Sequence, residues 1–452
     1  MEYIPHTDRD EQEMLRTIGV SSIEDLLLDL PPGVRLSRPL SLPAARTEME
    51  LRREIGALSR QNANTDDLVC FLGAGAYDHY IPAAVSQLAG RSEFYTAYTP
   101  YQAEMSQGIL QSIYEYQTHI CEITGMEVAN ASLYDGASAL AEAALMGTRI
   151  TKKRKTILVS RGVNPRYREV LRTYLRGYHD TMVEVPCVNG VTDLSRLESS
   201  LTEDTASVLI QSPNFFGCIE DVEGASQLAH RAGSIAVCMA DPLSLGILNS
   251  PGEMGVDIAV GEGQALGNAL SFGGPYLGFL AGKMAHVRQI PGRIVGATRD
   301  SQGRRGYCLT FQTREQHIKR DRATSNICTN QALNALVATL YLSLMGKEGL
   351  REVGVQCLSK AHYLREEIEK IPGFAPVFAR STFKEFVVRT PVAPSVILEK
   401  LLKQGILGGY DLSRDFAELD RHLLVCVTEK RTREEMDRFV SALKEFAIGD
   451  KS

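Results

Sequence analysis

Long apolar runs are missing from this sequence. None approaches the ~20 residues that a membrane-spanning helix needs. The start, MEYIPHTDRDEQEML, is charged where a secretion signal would be apolar. A cytoplasmic chain with no membrane partner is therefore expected. Paired cysteines are missing too. The nine cysteines stand at 70, 121, 187, 218, 238, 308, 328, 357 and 426, none in a C-x-x-C pair. Several lie inside apolar runs, Cys70 in LVCFLG and Cys238 in IAVCMA among them, and read as reduced, buried thiols. The nine histidines show neither H-x-x-x-H nor H-E-x-x-H spacing, so no metal site is expected. With no G-x-S-x-G elbow and no G-K-[ST] loop, the hydrolase and P-loop readings fail. Gly73-Ala74-Gly75 opens like a dinucleotide loop but lacks the third glycine and a following helix. The net charge of −6 argues against a nucleic-acid partner.

What is present fits an α/β protein. The 452 residues suffice for about two to three domains. The first sixty look helical. Thr7 can cap a helix that stops at Gly19, Ser22 can cap a second that ends at Pro31-Pro32, and Thr47 with Glu50 forms a capping box for a third. From about 69 the pattern changes to strands, at 69–73, 128–132, 156–160, 181–187, 206–211, 235–240, 257–260 and 277–281. Helices are expected between most of them, at 102–123, 137–149, 165–177, 193–200 and 221–233. Such alternation implies a mixed, mostly parallel sheet covered on both faces, with ligands at the C-terminal strand ends. A helix at 330–345 leads to a small α/β domain with helices at 347–370, 394–403 and 432–446. The expected organisation is a helical N-terminal arm, 1–66, a large α/β domain, 67–330, and a linking helix with the small C-terminal domain, 331–452.

Three features carry chemistry. In SLYDGASALAEAAL, 132–145, a strand ends and Asp135-Gly136-Ala137-Ser138 opens an alanine-rich helix. The start of that helix can hold a phosphate or carboxylate, or Asp135 can be an ordinary N-cap. Asp241 follows the apolar strand IAVCMA, either as a partner for a cationic ring nitrogen or as a turn residue before Pro242. The stretch VDIAVGEGQALGNALSFGGPYLGF, 256–279, is a glycine-rich loop of the kind that approaches a ligand. Pyridoxal phosphate enzymes follow this order, but they need a lysine in the loop to hold the cofactor aldehyde as a Schiff base. The turn here reads Glu262, Gly263, Gln264, Ala265, and no lysine stands between Lys155 and Lys283. The stretch 283–322 is locally basic. Ten Lys and Arg stand against three Asp and Glu, a balance of +7 that leaves −13 for the rest of the chain. It reads either as a solvated loop region or as a site for an anionic partner.

Five stretches carry a resemblance: YTAYTPYQAEMSQG (95–108), ANASLYDGASALAEA (129–143), GGPYLGF (273–279), IPGRIVG (290–296) and TSNICTNQAL (324–333). Together they resemble the glycine dehydrogenase (decarboxylating) family, the P-protein of the glycine cleavage system, over nearly the whole chain. In length and order the chain is similar to subunit 1 of the two-subunit form. The resemblance implies a pyridoxal-phosphate-enzyme-like large domain of fold type I. It implies an oxidoreductase that decarboxylates glycine and passes the aminomethyl group to the lipoyl arm of the H-protein. The implied partners are subunit 2 and lipoylated H-protein, in a heterotetramer with two copies of each subunit. Pyridoxal phosphate is expected on the partner subunit, and the loop 261–267 resembles the relic of a Schiff-base loop, with Ala265 near the lysine position. Residues expected to line the shared site are Tyr95, Tyr98, Thr99, Tyr101, Gln102 and Glu104, with Asn326, Thr329 and the loop 273–276 as weaker candidates. The alternative for that cluster is interface packing. Asp135, Gly136, Ser138 and Asp241 are the candidates for a relic cofactor pocket. Two other readings stay open: a self-sufficient pyridoxal phosphate enzyme using Lys283, and a purely structural or docking subunit.

Overall fold

The structure, a computed structural model, describes residues 5–447 apart from 32, 37, 153 and 179. The stop predicted at Pro31-Pro32 thus falls partly outside the described residues. Two compact units are present, Met1–Ala63 and Asn64–Ser452.

The first unit is helical. Thr7 caps Asp8–Ile18 in a capping box with Asp10, and Gly19 ends the helix with φ 90°, a left-handed conformation that suits glycine. Thr47 caps Glu48–Ser59, and Glu50 reaches back to close its box. Behind Ser22 only a 3₁₀ stretch forms, Ile23–Leu27, rather than a longer helix.

The second unit is built on a seven-stranded sheet. From edge to edge it runs Val128–Ala129, Gly278–Gly282, Ile258–Glu262, Ile235–Ala240, Thr205–Ser212, Thr156–Ser160 and Thr181–Val185. All neighbours are parallel except Gly278–Gly282, which runs antiparallel to both of its own. Apolar side chains on both faces let the sheet be covered twice. Along Ile235–Ala240, Ala236 and Cys238 enter one core, while Val237 and Met239 enter the other. The alanine-rich helix Gly136–Thr151 buries every residue from 136 to 147, because small side chains allow it to lie close on the sheet. A Cβ on Gly136 would come within 2.9 Å of Glu262 and Met239.

Several expectations shift. The helix expected from 102 begins at Gln107, after turns. The strand expected at 69–73 shrinks to Val69–Cys70 and pairs with Ile406–Leu407 instead of the large sheet. The basic stretch holds a hairpin, Ile294–Arg299 with Arg305–Thr310, that periodicity did not reveal. The two helices expected at 330–345 and 347–370 are both present, within the element Ala332–Glu369, and meet at a kink where Gly346 leaves helical geometry. After it comes a four-stranded antiparallel sheet, ordered Ala375–Pro376, Glu385–Arg389, His422–Cys426 and Tyr410–Asp411. Among the described residues no helix is long and apolar enough to cross a membrane.

Candidate active site

The C-terminal ends of the parallel strands converge on a small cavity of about 30 Å³, lined by Tyr77, Asn164, Asp241, Glu262, Ala265 and Lys384 among others. That is room for a water or two. Asp241 follows Ile235–Ala240, and Glu262 ends Ile258–Glu262. Lys384 arrives from far along the chain, just ahead of Glu385–Arg389. Backbone bonds hold it in place: Phe383 N donates to Gly217 O at 3.1 Å, and Val427 N donates to Lys384 O at 2.8 Å. Gly217 sits at φ +81°, and a Cβ there would collide with the Glu385 carbonyl.

At one end of the cavity lies a buried cation. Lys384 Nζ stands 2.6 Å from Asp241 Oδ2, with side-chain exposures of 2% and 13%. It is also 3.1 Å from His79 Nε2 and 3.5 Å from the centre of the Tyr77 ring. Burial works most strongly against the ammonium, but the charge and hydrogen bond of Asp241, together with smaller contributions from neighbouring groups, hold the lysine above its ordinary value. Burial and the neighbouring Lys384 charge push His79 down, so its imidazole is neutral. Its Nε2 then accepts from Lys384 and its Nδ1–H donates to Glu429 Oε2 at 2.6 Å, a tautomer assigned from the bonding pattern. Burial would raise Glu429, but the bonds from His79 and from Tyr80 N hold it well below the usual carboxylate range.

At the start of the helix Gly136–Thr151 lies a buried carboxylate. Glu262 Oε2 accepts from Gly136 N at 2.9 Å, while Oε1 accepts from Gln264 N and Leu277 N, both at 3.0 Å. Burial lifts Glu262 to about 7 in spite of these donors. Asp135 is the N-cap, with Oδ1 accepting from Ser138 N at 2.7 Å. The glycine pair Gly73 and Gly75 likewise wraps a side chain of the chain's own. Ala74 N donates to Glu385 Oε1 at 2.6 Å, and Tyr77 Oη donates to Glu385 Oε2 at 2.8 Å. Burial raises Glu385 to about 7 as well.

Pyridoxal phosphate would need a lysine in the loop, free N–H groups for its phosphate, and a carboxylate free for its ring nitrogen. The residues present do not fit it. Ala265 is buried in the loop, Glu262 holds the N–H of Gly136, and Lys384 holds Asp241. Lys283 does not rescue the fit. It pairs with Asp257 at 2.5 Å, and Asp257 precedes Ile258, at the opposite end of the strand from Glu262. His79, Cys357 and Glu429 bring ligand atoms within 4.8 Å of one another. Burial keeps that thiol protonated and Lys384 stands against the imidazole, a setting hostile to a metal cation.

The expected lining residues lie elsewhere on the surface. Tyr95, Tyr98, Tyr101, Gln102 and Glu104 are exposed and Thr99 is half-buried. Among the described residues, Met105 and Phe272 are the most open large apolar side chains, at 82% and 81%. Arg293 links two of the motifs: its guanidinium lies 5.9 Å from the Tyr101 ring centre and donates to Cys328 O at 3.1 Å. Thr329 N donates weakly to Tyr134 Oη at 3.5 Å, beside Asp135, and Asn326 is exposed. Sequence reasoning missed Lys384, Glu385, His79 and Glu429. The only local signal was the charged pair Lys384-Glu385 set inside the apolar run FKEFVV.

The family model described as "Glycine cleavage system P-protein" matches residues 1–443. A "Probable glycine dehydrogenase (decarboxylating) subunit 1" from Desulforamulus reducens is 52% identical, covering 98% of this chain and 99% of that protein. One so described from Carboxydothermus hydrogenoformans is 54% identical over the same shares. Among solved structures, a glycine decarboxylase (P-protein) of the glycine cleavage system, in inhibitor-bound form, is 44% identical with a TM-score of 0.90, covering 99% of this chain and 100% of that one. A NifS-like protein, 15% identical with a TM-score of 0.62, covers 84% of this chain and 98% of its own. The fold is that of pyridoxal phosphate enzymes of type I.

Proposed function

The chain belongs to the glycine cleavage system P-protein family, and on that premise we propose that it is the cofactor-free subunit 1 of a glycine dehydrogenase (decarboxylating). Subunit 2 carries pyridoxal phosphate, which serves as electron sink when carbon dioxide leaves glycine. The aminomethyl group passes to the lipoyl arm of the H-protein, and two copies of each subunit form the working heterotetramer in the cytoplasm. The observation that carries this reading is the pocket itself. Its lining includes Ala265, in the loop where the resemblance expects a Schiff-base lysine, its carboxylate Asp241 is taken by Lys384, and it offers water only about 30 Å³ of room. A chain in this state contributes surface to a site on another subunit. The exposed residues Tyr95, Tyr98, Tyr101, Gln102 and Glu104, with Thr99, Asn326 and Thr329 nearby, form that contribution. Exposed aromatic and apolar side chains in one stretch suit an interface. The division into arm, large domain and small domain is part of the same proposal.

The test is reconstitution. The lone chain is expected to show no glycine-dependent carbon dioxide exchange and to gain it with subunit 2 and H-protein. Incubation of the lone chain with pyridoxal phosphate, followed by borohydride and peptide mapping, is expected to yield no stoichiometric adduct. Exchange by the lone chain at the rate of the pair would reverse the assignment.

A further inference from the structure

Two charged groups that a cofactor of this fold would supply are already supplied by the chain. A cationic ring nitrogen would face Asp241, where Lys384 Nζ lies at 2.6 Å. A phosphate would face the start of Gly136–Thr151, where Glu262 accepts from Gly136 N at 2.9 Å. We propose that Lys384 and Glu262 are built-in counter-ligands, which close the vestigial pocket against phosphopyridine ligands and let this subunit fold without one. The missing lysine is then one of three barriers, and the other two are electrostatic.

The arrangement is over-determined in a way that chance contacts are not. Lys384 has a carboxylate, a neutral imidazole and an aromatic face around it, and its position is fixed by Gly217 and Val427. Glu262 accepts three backbone N–H bonds. A buried Asp241 or an N–H cup left empty would be costly without a ligand. With Lys384 and Glu262 in place, both are satisfied in every copy of the chain, whatever the cofactor supply. The inference rests on the reading that the working cofactor sits on the partner subunit. Failure of that reading would show separately, as decarboxylation by the lone chain.

The experiment titrates the full chain with pyridoxamine phosphate, which carries the ring nitrogen and the phosphate but cannot form a Schiff base. Equilibrium dialysis and the thermal midpoint report binding. The wild type is expected to show no saturable binding at millimolar ligand. The double variant Lys384→Ala with Glu262→Ala is expected to bind at least about ten-fold more tightly than the wild type, and ligand should raise its midpoint. A folded double variant that binds no better than the wild type overturns the proposal. So does saturable binding by the wild type that Asp241→Asn abolishes. Glu262→Ala alone decides the question if the double variant does not fold. Its vacated N–H cup is expected to bind inorganic phosphate at least about ten-fold more tightly than the wild type does. An unchanged phosphate affinity overturns the role given to Glu262.

Discussion

Replacing Lys384 by Met keeps an unbranched apolar stem one atom shorter and removes the ammonium, with its charge and its hydrogen-bond donors. Asp241 then stays behind, 13% exposed, with no cation beside it. Two unit charges 2.6 Å apart attract by roughly 6 kcal/mol at an effective dielectric of about 20. Desolvation of both ions takes most of that back, so the pair as a whole is worth little against an apolar replacement. Removing one partner is different, because the other charge stays buried; the expected cost is about 3–5 kcal/mol. Lys384→Met and Asp241→Asn should therefore each destabilise strongly, while the double variant should be more stable than either. A double-mutant cycle on urea unfolding of the full chain measures this, with a coupling of at least about 2 kcal/mol expected. His79 supplies a second readout. Without the ammonium 3.1 Å from its Nε2, its imidazole pKa should rise towards the ordinary value. Single variants that each cost under about 1 kcal/mol, or a double variant equal to the sum of its parts, would refute the account of the pair as a buried ionic lock.

Three further outcomes are expected. Glu262 is raised to about 7, first by burial, so its contribution to stability is complete below about pH 4.5 and is lost as pH rises through about 7. Between pH 5 and 7 the unfolding free energy of the wild type should therefore fall relative to Glu262→Gln, by up to roughly 1.4 kcal/mol per pH unit, and parallel profiles would refute this. Tyr98→Phe and Gln102→Ala lie on exposed positions; they should lower turnover of the assembled enzyme by about ten-fold, ~1.4 kcal/mol in the barrier, with the thermal midpoint unchanged. Lost stability at normal turnover would return that motif to packing. Replacing Arg304 and Arg305 by Ser should raise the apparent KM for H-protein and flatten its salt dependence. Arg304 already pairs with Asp300 at 2.7 Å, so Arg305 should carry the larger share; no change in either quantity would remove the hairpin from the docking surface.

Much of the architecture was legible because its causes are local. The caps at Thr7 and Thr47 hold because a side-chain oxygen and an acidic residue three positions on satisfy the first free N–H groups. Unbroken apolar runs such as IAVCMA announced strands covered on both faces. Gly346 divided the long helical element where periodicity placed the break. The span from 156 to 282 without a lysine is a fact of composition, and it was enough to question a Schiff base. The contents of the pocket were not legible. Asp241 and Lys384 are remote in sequence, as are Gly136 and Glu262, and no periodicity or capping rule links them. A buried charge is tolerated only beside its partner, and chain topology decides which partner arrives. Sequence alone placed an aspartate at a strand end, a glycine-rich turn and a helix start that could accept an anion. Only the tertiary fold decided what fills them, by bringing Lys384 with the C-terminal sheet against Asp241 and by setting Glu262, at the end of its own strand in the large sheet, against Gly136 N.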